Sequence, residues 1–105
     1  MAPSQISIAT SSLNRLIKEE ASYHKELTQQ EARLTKLESG PDEEGNKDFL
    51  IRQEKTAIEE TKRMFPRLES DIATGRQRLL DVMKAGGGSE EEIAKAQEAL
   101  KAGKA

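Results

Sequence analysis

The sequence has no cysteine and no tryptophan, a single histidine (His24), three prolines and three aromatic residues, Tyr23, Phe49 and Phe65. Without cysteine there are no disulfides, no thiolate metal sites and no cysteine nucleophile. One histidine cannot build a histidine-based zinc site, and it leaves few partners for acid–base chemistry. No apolar run approaches the roughly 20 residues needed to cross a bilayer. Neither sign of charge dominates: 17 basic and 19 acidic residues leave a net charge of −2, so there is no whole-chain field to draw in nucleic acid or an anionic membrane. The start, Met1-Ala2-Pro3-Ser4-Gln5, carries neither the basic nor the apolar segment of an export signal, and the cytoplasm is the expected location.

What is present is charge and helical periodicity. Hydrophobic and charged residues each make up 34% of the 105 residues, a balance that suits a thin, well-solvated helical protein with one modest core. Ile6, Leu13, Glu20, Leu27 and Leu34 recur at sevens, and three positions on so do Ala9, Leu16, Tyr23, Gln30 and Leu37. Together they form the seam of a long helix, interrupted at Glu20 and Gln30. Ser4, Thr10 and Ser11 are candidate caps, and the early start is preferred because the seam already includes Ile6. Ser39-Gly40-Pro41 ends this helix, with Gly40 expected in the left-handed conformation. The short turn through Asp42, Glu43, Glu44, Gly45 and Asn46 makes the next helix an antiparallel neighbour.

In the second helix Ile51, Ile58, Phe65, Ile72 and Leu79 lie seven apart, with Glu54, Thr61, Leu68, Gly75 and Val82 in the companion register. Its roughly 37 residues would span about 55 Å. Pro66 falls in its interior with the pattern in phase on both sides, which predicts a kink and not a break. Ala85-Gly86-Gly87-Gly88 forms a joint, and Ser89-Glu90-Glu91-Glu92 is a capping box opening a short third helix. Glu91 and Lys95 are spaced to pair, and fraying is expected from Lys101 to Ala105. The fold class is therefore all-α: an antiparallel, coiled-coil-like three-helix bundle in one domain (1–105). It has a long hairpin (helix 1 about 5–38, loop 39–47, helix 2 about 48–84), a kink at Pro66, a glycine joint (85–88) and a short C-terminal helix (about 90–102).

The chemical candidates are few. Asp42-Glu43-Glu44 fails as a calcium loop, because Lys47 and Gln53 stand where glycine and a bidentate glutamate are required. Gly86-Gly87-Gly88-Ser89 lacks the strand and the lysine of a phosphate loop. His24 lies beside the seam, with Glu20 one turn earlier as its expected partner. Lys62, Arg63, Arg67, Arg76 and Arg78 form the most basic stretch, interleaved with Glu59, Glu60, Glu69 and Asp71; this is a solvated face or a contact for an acidic protein. No nucleophile–base pair is evident, so an enzyme is not expected. The third helix is too short to cover the whole hairpin. The seam of Leu27, Leu34, Leu37, Ile51, Ile58 and Phe65 is thus left either to seal itself between two helices or to be covered by a partner or a second copy.

Two blocks carry a family resemblance. The first is Ile8-Ala9-Thr10, then Asn14-Arg15-Leu16-Ile17-Lys18-Glu19, Tyr23-His24-Lys25-Glu26 and Gln29-Gln30-Glu31. The second is Glu59-Glu60-Thr61-Lys62-Arg63-Met64-Phe65-Pro66. Over roughly residues 6 to 84 the chain resembles the tubulin-binding cofactor A family. That resemblance implies a three-helix bundle that captures β-tubulin released from the cytosolic chaperonin and holds it for αβ-tubulin assembly. It implies a cytoplasmic setting associated with the microtubule cytoskeleton, with other tubulin-folding cofactors as further partners and a homodimer as an open state. It implies no cofactor, metal or catalysis, and the charge balance and lack of long apolar runs argue against a nucleic-acid or membrane partner. The glycine joint and alanine-rich third helix depart from the family pattern. The expected contact residues are Arg15, Lys18, Glu19, Tyr23, Lys25, Glu26, Gln30, Arg63, Met64, Phe65 and Pro66, with Tyr23 and Phe65 read more readily as core than as contact. A coiled-coil homodimer or scaffold adaptor without tubulin specificity is the alternative.

Overall fold

The computed structural model describes residues 4–103 and contains three helices: α1 (Gln5–Ser39), α2 (Lys47–Lys84) and α3 (Glu90–Ala102). The leader reading at Met1-Ala2-Pro3 and the fraying expected at Lys104 and Ala105 lie outside the described residues. Lys101 and Ala102, expected to fray, are helical, and the Gly103 N–H caps the end by donating to the Ala99 and Lys101 carbonyls. The helix α2 passes through Pro66 without interruption. The described residues form two compact units: one takes in those up to Glu20 and those from Arg67 onward, the other is Ala21–Pro66.

In the first unit Ser4 is the residue that starts α1. Its hydroxyl oxygen accepts from the Ser7 amide at 3.1 Å and its carbonyl from the Ile8 amide at 3.0 Å, satisfying donors that have no partner inside the helix. Ile6, Ala9 and Leu13 of α1, Ile72 and Leu79 of α2, and Ala96 and Ala99 of α3 make one buried cluster, with Leu13 and Leu79 wholly enclosed. Each buried leucine contributes about 2 kcal/mol of transfer free energy. The small residues set the spacing. Ala96 and Ala99 bring α3 close, and a Cβ on Gly75 would already touch Leu13 and Leu16 at 3.5 Å.

The joint into α3 depends on glycine. Gly86, Gly87 and Gly88 all have φ between 86° and 88°, a region that side chains penalise. At Gly88 a Cβ would also stand 2.7 Å from Ile6 Cδ1. The capping box forms as its spacing predicts: the Glu92 amide donates to Ser89 Oγ at 3.1 Å and the Ser89 amide to Glu92 Oε1 at 2.9 Å. The other Glu92 oxygen accepts from the Ser4 hydroxyl, so a single carboxylate ties the start of α3 to the start of α1. Those bonds hold the Glu92 carboxyl below its ordinary pKa, with the Ser4 bond contributing most and the Ser89 backbone next. At the far end of α3 the Arg76 guanidinium donates to the Leu100 carbonyl, one of the acceptors a helix C-terminus leaves open.

In the second unit stretches of α1 and α2 run antiparallel, as His24 beside Phe65 and Arg33 beside Glu54 require. The turn differs from expectation in one detail. Gly45, at φ 76°, is the left-handed glycine, and Gly40 is not. Gly40 serves a close approach instead, since a Cβ there would meet the Lys36 carbonyl oxygen at 2.9 Å. Asp42 Oδ1 accepts from the Lys47 amide at 3.1 Å and the Lys47 ammonium donates to the Gly40 carbonyl at 2.8 Å, so the acidic turn works as a helix start. Ile58, Gln30 and Thr61 are buried, and Leu27, Leu34, Leu37, Ile51 and Phe65 are half-buried. Two helices therefore cover most of this seam within the chain.

Candidate partner-binding surfaces

On the first unit Arg15, Lys18 and Glu19 are exposed on α1. On the second, Lys25, Glu26, Arg63 and Pro66 are exposed, while Tyr23, Met64 and Phe65 are half-buried. Gln30 is only 5% exposed. It stands at a seam position between two apolar neighbours one turn away, Leu27 and Leu34, and its Oε1 has no hydrogen-bond partner among the described residues. It faces inward in the folded chain and offers no surface.

The charges on these surfaces are largely free. Ion pairs among the described residues join Arg33 to Glu54 (3.2 Å), Arg67 to Asp71 (4.0 Å) and Lys95 to Glu91 (3.4 Å). The Lys95–Glu91 pair is the one its spacing predicts. Arg15, Lys18, Lys25 and Arg63 form no ion pair among the described residues. Unpaired cations on regular helices lose no internal partner when an acidic surface approaches, and side chains this exposed act at a rate- and salt-sensitive level.

Sequence reasoning missed two functions of side chains near these surfaces. His24 does not pair with Glu20; its ring stacks on Phe65, with centroids 4.4 Å apart and planes at 26°. The stack gives the edge of the second unit an aromatic patch beside the exposed Pro66. Arg76, read as part of a basic face, is half-buried and committed to α3. Both contacts depend on which residues of distant segments lie opposite one another, and no local pattern encodes that. Among the described residues no group of three or more His, Asp or Glu side chains is placed to hold a metal ion. No helix among the described residues is long and apolar enough to cross a membrane.

The family model for tubulin binding cofactor A matches residues 1–100. The chain belongs to the tubulin binding cofactor A family. Among curated relatives, tubulin-specific chaperone A of Saccharomyces cerevisiae is 32% identical over 91 residues, covering 87% of this chain and 83% of that one. The rabbit (Oryctolagus cuniculus) chaperone A is 31% identical over 98 residues, and the bovine (Bos taurus) one 28% over 94, each covering 90% of this chain and 80% of the relative. No solved structure matches. Membership in this family of chaperones makes the chain a binding protein and not an enzyme.

Proposed function

We propose that this chain is a tubulin-folding chaperone that captures β-tubulin released from the cytosolic chaperonin and passes it on for αβ-tubulin assembly. The observation that carries the reading is the family match over residues 1–100, joined to relatives named tubulin-specific chaperones across four-fifths of their own length. Capture is stoichiometric. A helical scaffold held by its own core presents fixed charges and a small apolar area to a partner, and no bond is made or broken.

On the first unit Arg15, Lys18 and Glu19 supply charged contacts. On the second, Lys25, Glu26 and Arg63 do the same, and the exposed edges of Tyr23, Met64, Phe65 and Pro66 supply apolar area. Gln30 takes part only by holding the seam. The chaperone works in the cytoplasm alongside the microtubule cytoskeleton and exchanges its cargo with other tubulin-folding cofactors. A homodimer is compatible with this role where self-association leaves these surfaces open.

Cross-linking to chaperonin-released β-tubulin, with α-tubulin in parallel, followed by mass spectrometry, tests the reading. Cross-links from β-tubulin to Lys18 and Lys25 are expected. Equal cross-linking of both tubulins would remove the β-specificity, and cross-links confined to other lysines would remove these surfaces.

A further inference from the structure

One feature of the first unit shares only Arg15 with the contacts proposed for tubulin. A groove of about 630 Å³ runs along α1 against α2, lined by Ser7, Ile8, Ser11, Ser12, Arg15 and Arg78. Its lining holds two cations, three hydroxyls, one large apolar side chain and no carboxylate. Ile8 is 38% exposed, among the few large hydrophobic residues of the described chain left so open. Neither Arg15 nor Arg78 has an ion-pair partner among the described residues.

The nearby acids form no ion pair with either arginine among the described residues. Asp81, one turn from Arg78, accepts from the Gln77 side-chain Nε2 at 2.9 Å, and Asp71 is paired with Arg67. Glu19, one turn from Arg15, does not reach it within the 4.0 Å of an ion pair. Two like charges lining one groove repel each other, and a carboxylate between them relieves that repulsion while forming charge-assisted, bidentate hydrogen bonds to either guanidinium.

We propose that this groove, where Ile8 lies with Arg15 and Arg78, docks an acidic polypeptide segment of a partner protein, with carboxylates on the two arginines and one apolar side chain against Ile8. The serine hydroxyls add donors for the same carboxylates. A nucleic acid fits less well. A phosphate backbone takes its affinity from many cations, and this groove offers two on a chain of net charge −2. The lining also has no aromatic ring for a base to stack on.

The probe is a short fluorescein-labelled peptide of glutamates around one central leucine, titrated with the full chain at low salt and read by anisotropy. Its lysine counterpart is the control. The glutamate peptide binds and the lysine peptide does not. Arg15→Glu and Arg78→Glu each weaken binding about tenfold, the range of one lost charge-assisted contact, and Arg52→Glu on the second unit leaves it unchanged. The doubly reversed chain gains affinity for the lysine peptide, which separates lost recognition from lost folding; circular dichroism checks the helix content of each variant. Failure of the unaltered chain to bind overturns the proposal, as does equal weakening by Arg52→Glu. A change in self-association on Arg78→Glu, seen by sedimentation, with no change in peptide binding would make the groove a contact between copies and overturn it as well. The assay contains no tubulin, so its failure leaves the chaperone reading standing, and failure of that reading leaves the groove.

Discussion

Replacing Gly75 by alanine should stabilise this protein, although the site is packed against the core. Glycine inside a helix costs about 0.8–1.0 kcal/mol relative to alanine, largely through the extra freedom of the unfolded chain. The gain is realised only if the new methyl fits. At Gly75 it would sit 3.5 Å from both Leu13 Cδ1 and Leu16 Cδ1, which is ordinary van der Waals contact, and the backbone is not in the left-handed region. Partial burial of the methyl adds about 0.4 kcal/mol, half the value of a fully buried methylene. The sum is about 1.3 kcal/mol, equivalent to about 5–8 °C in Tm for a chain of this length. Urea unfolding followed by far-UV circular dichroism should show a higher midpoint with an unchanged slope. A lower or unchanged midpoint would refute the reasoning, because it would mean that Leu13 and Leu16 leave no room at the α1–α2 contact.

The opposite sign is expected at Gly88→Ala, where φ is +86° and the Cβ would stand 2.7 Å from Ile6 Cδ1. Left-handed strain alone costs about 1–2 kcal/mol, and a variant as stable as the parent in urea would contradict the packing of the joint. Leu79→Ala, at a side chain with no exposure, should lower stability by about 2–5 kcal/mol; a loss under about 1 kcal/mol in the same assay would show that the core closes over the gap. The Glu92 carboxyl titrates below its ordinary value because the Ser4 hydroxyl and the Ser89 backbone bond its charged form. A carboxyl lowered in the folded state stabilises that state above its unfolded pKa, and the contribution is lost as pH falls through the folded value. Stability should therefore drop as the pH passes below the ordinary 4.5, and Glu92→Gln should flatten that part of the profile; identical profiles would show that Glu92 is not a tie between α3 and α1.

The periodicity carried much of the fold. Ile6, Ala9, Leu13, Ile58, Leu68, Ile72 and Leu79 all belong to the repeating registers, and all are buried. The polar residues in those registers obey them too: Gln30 and Thr61 are buried at seam positions, and Thr61 manages by donating its hydroxyl to the Ala57 carbonyl at 3.0 Å. The Ser89 capping box was legible because it is a local rule acting over four residues. What escaped notice depends on distant segments meeting. Ser4 with Glu92, Arg76 with Leu100 and His24 with Phe65 are set by the lateral register of packed helices, and a one-dimensional repeat does not specify it. Thr10 is buried outside both registers because α3 covers a flank of α1 as well as its seam, and its hydroxyl finds no partner among the described residues. The proposed binding surfaces were readable as charge and as family likeness. Which of their residues face outward needed the structure, and it is there that Gln30 parted from the others.

The most direct test of the account is co-migration on a sizing column with chaperonin-released β-tubulin, with α-tubulin and the intact heterodimer as controls, at low and high salt. A one-to-one complex with β-tubulin alone is expected, weakening as salt screens the free charges. Elution of the chain as a self-associated species that leaves β-tubulin behind would contradict it and point to a structural coiled coil.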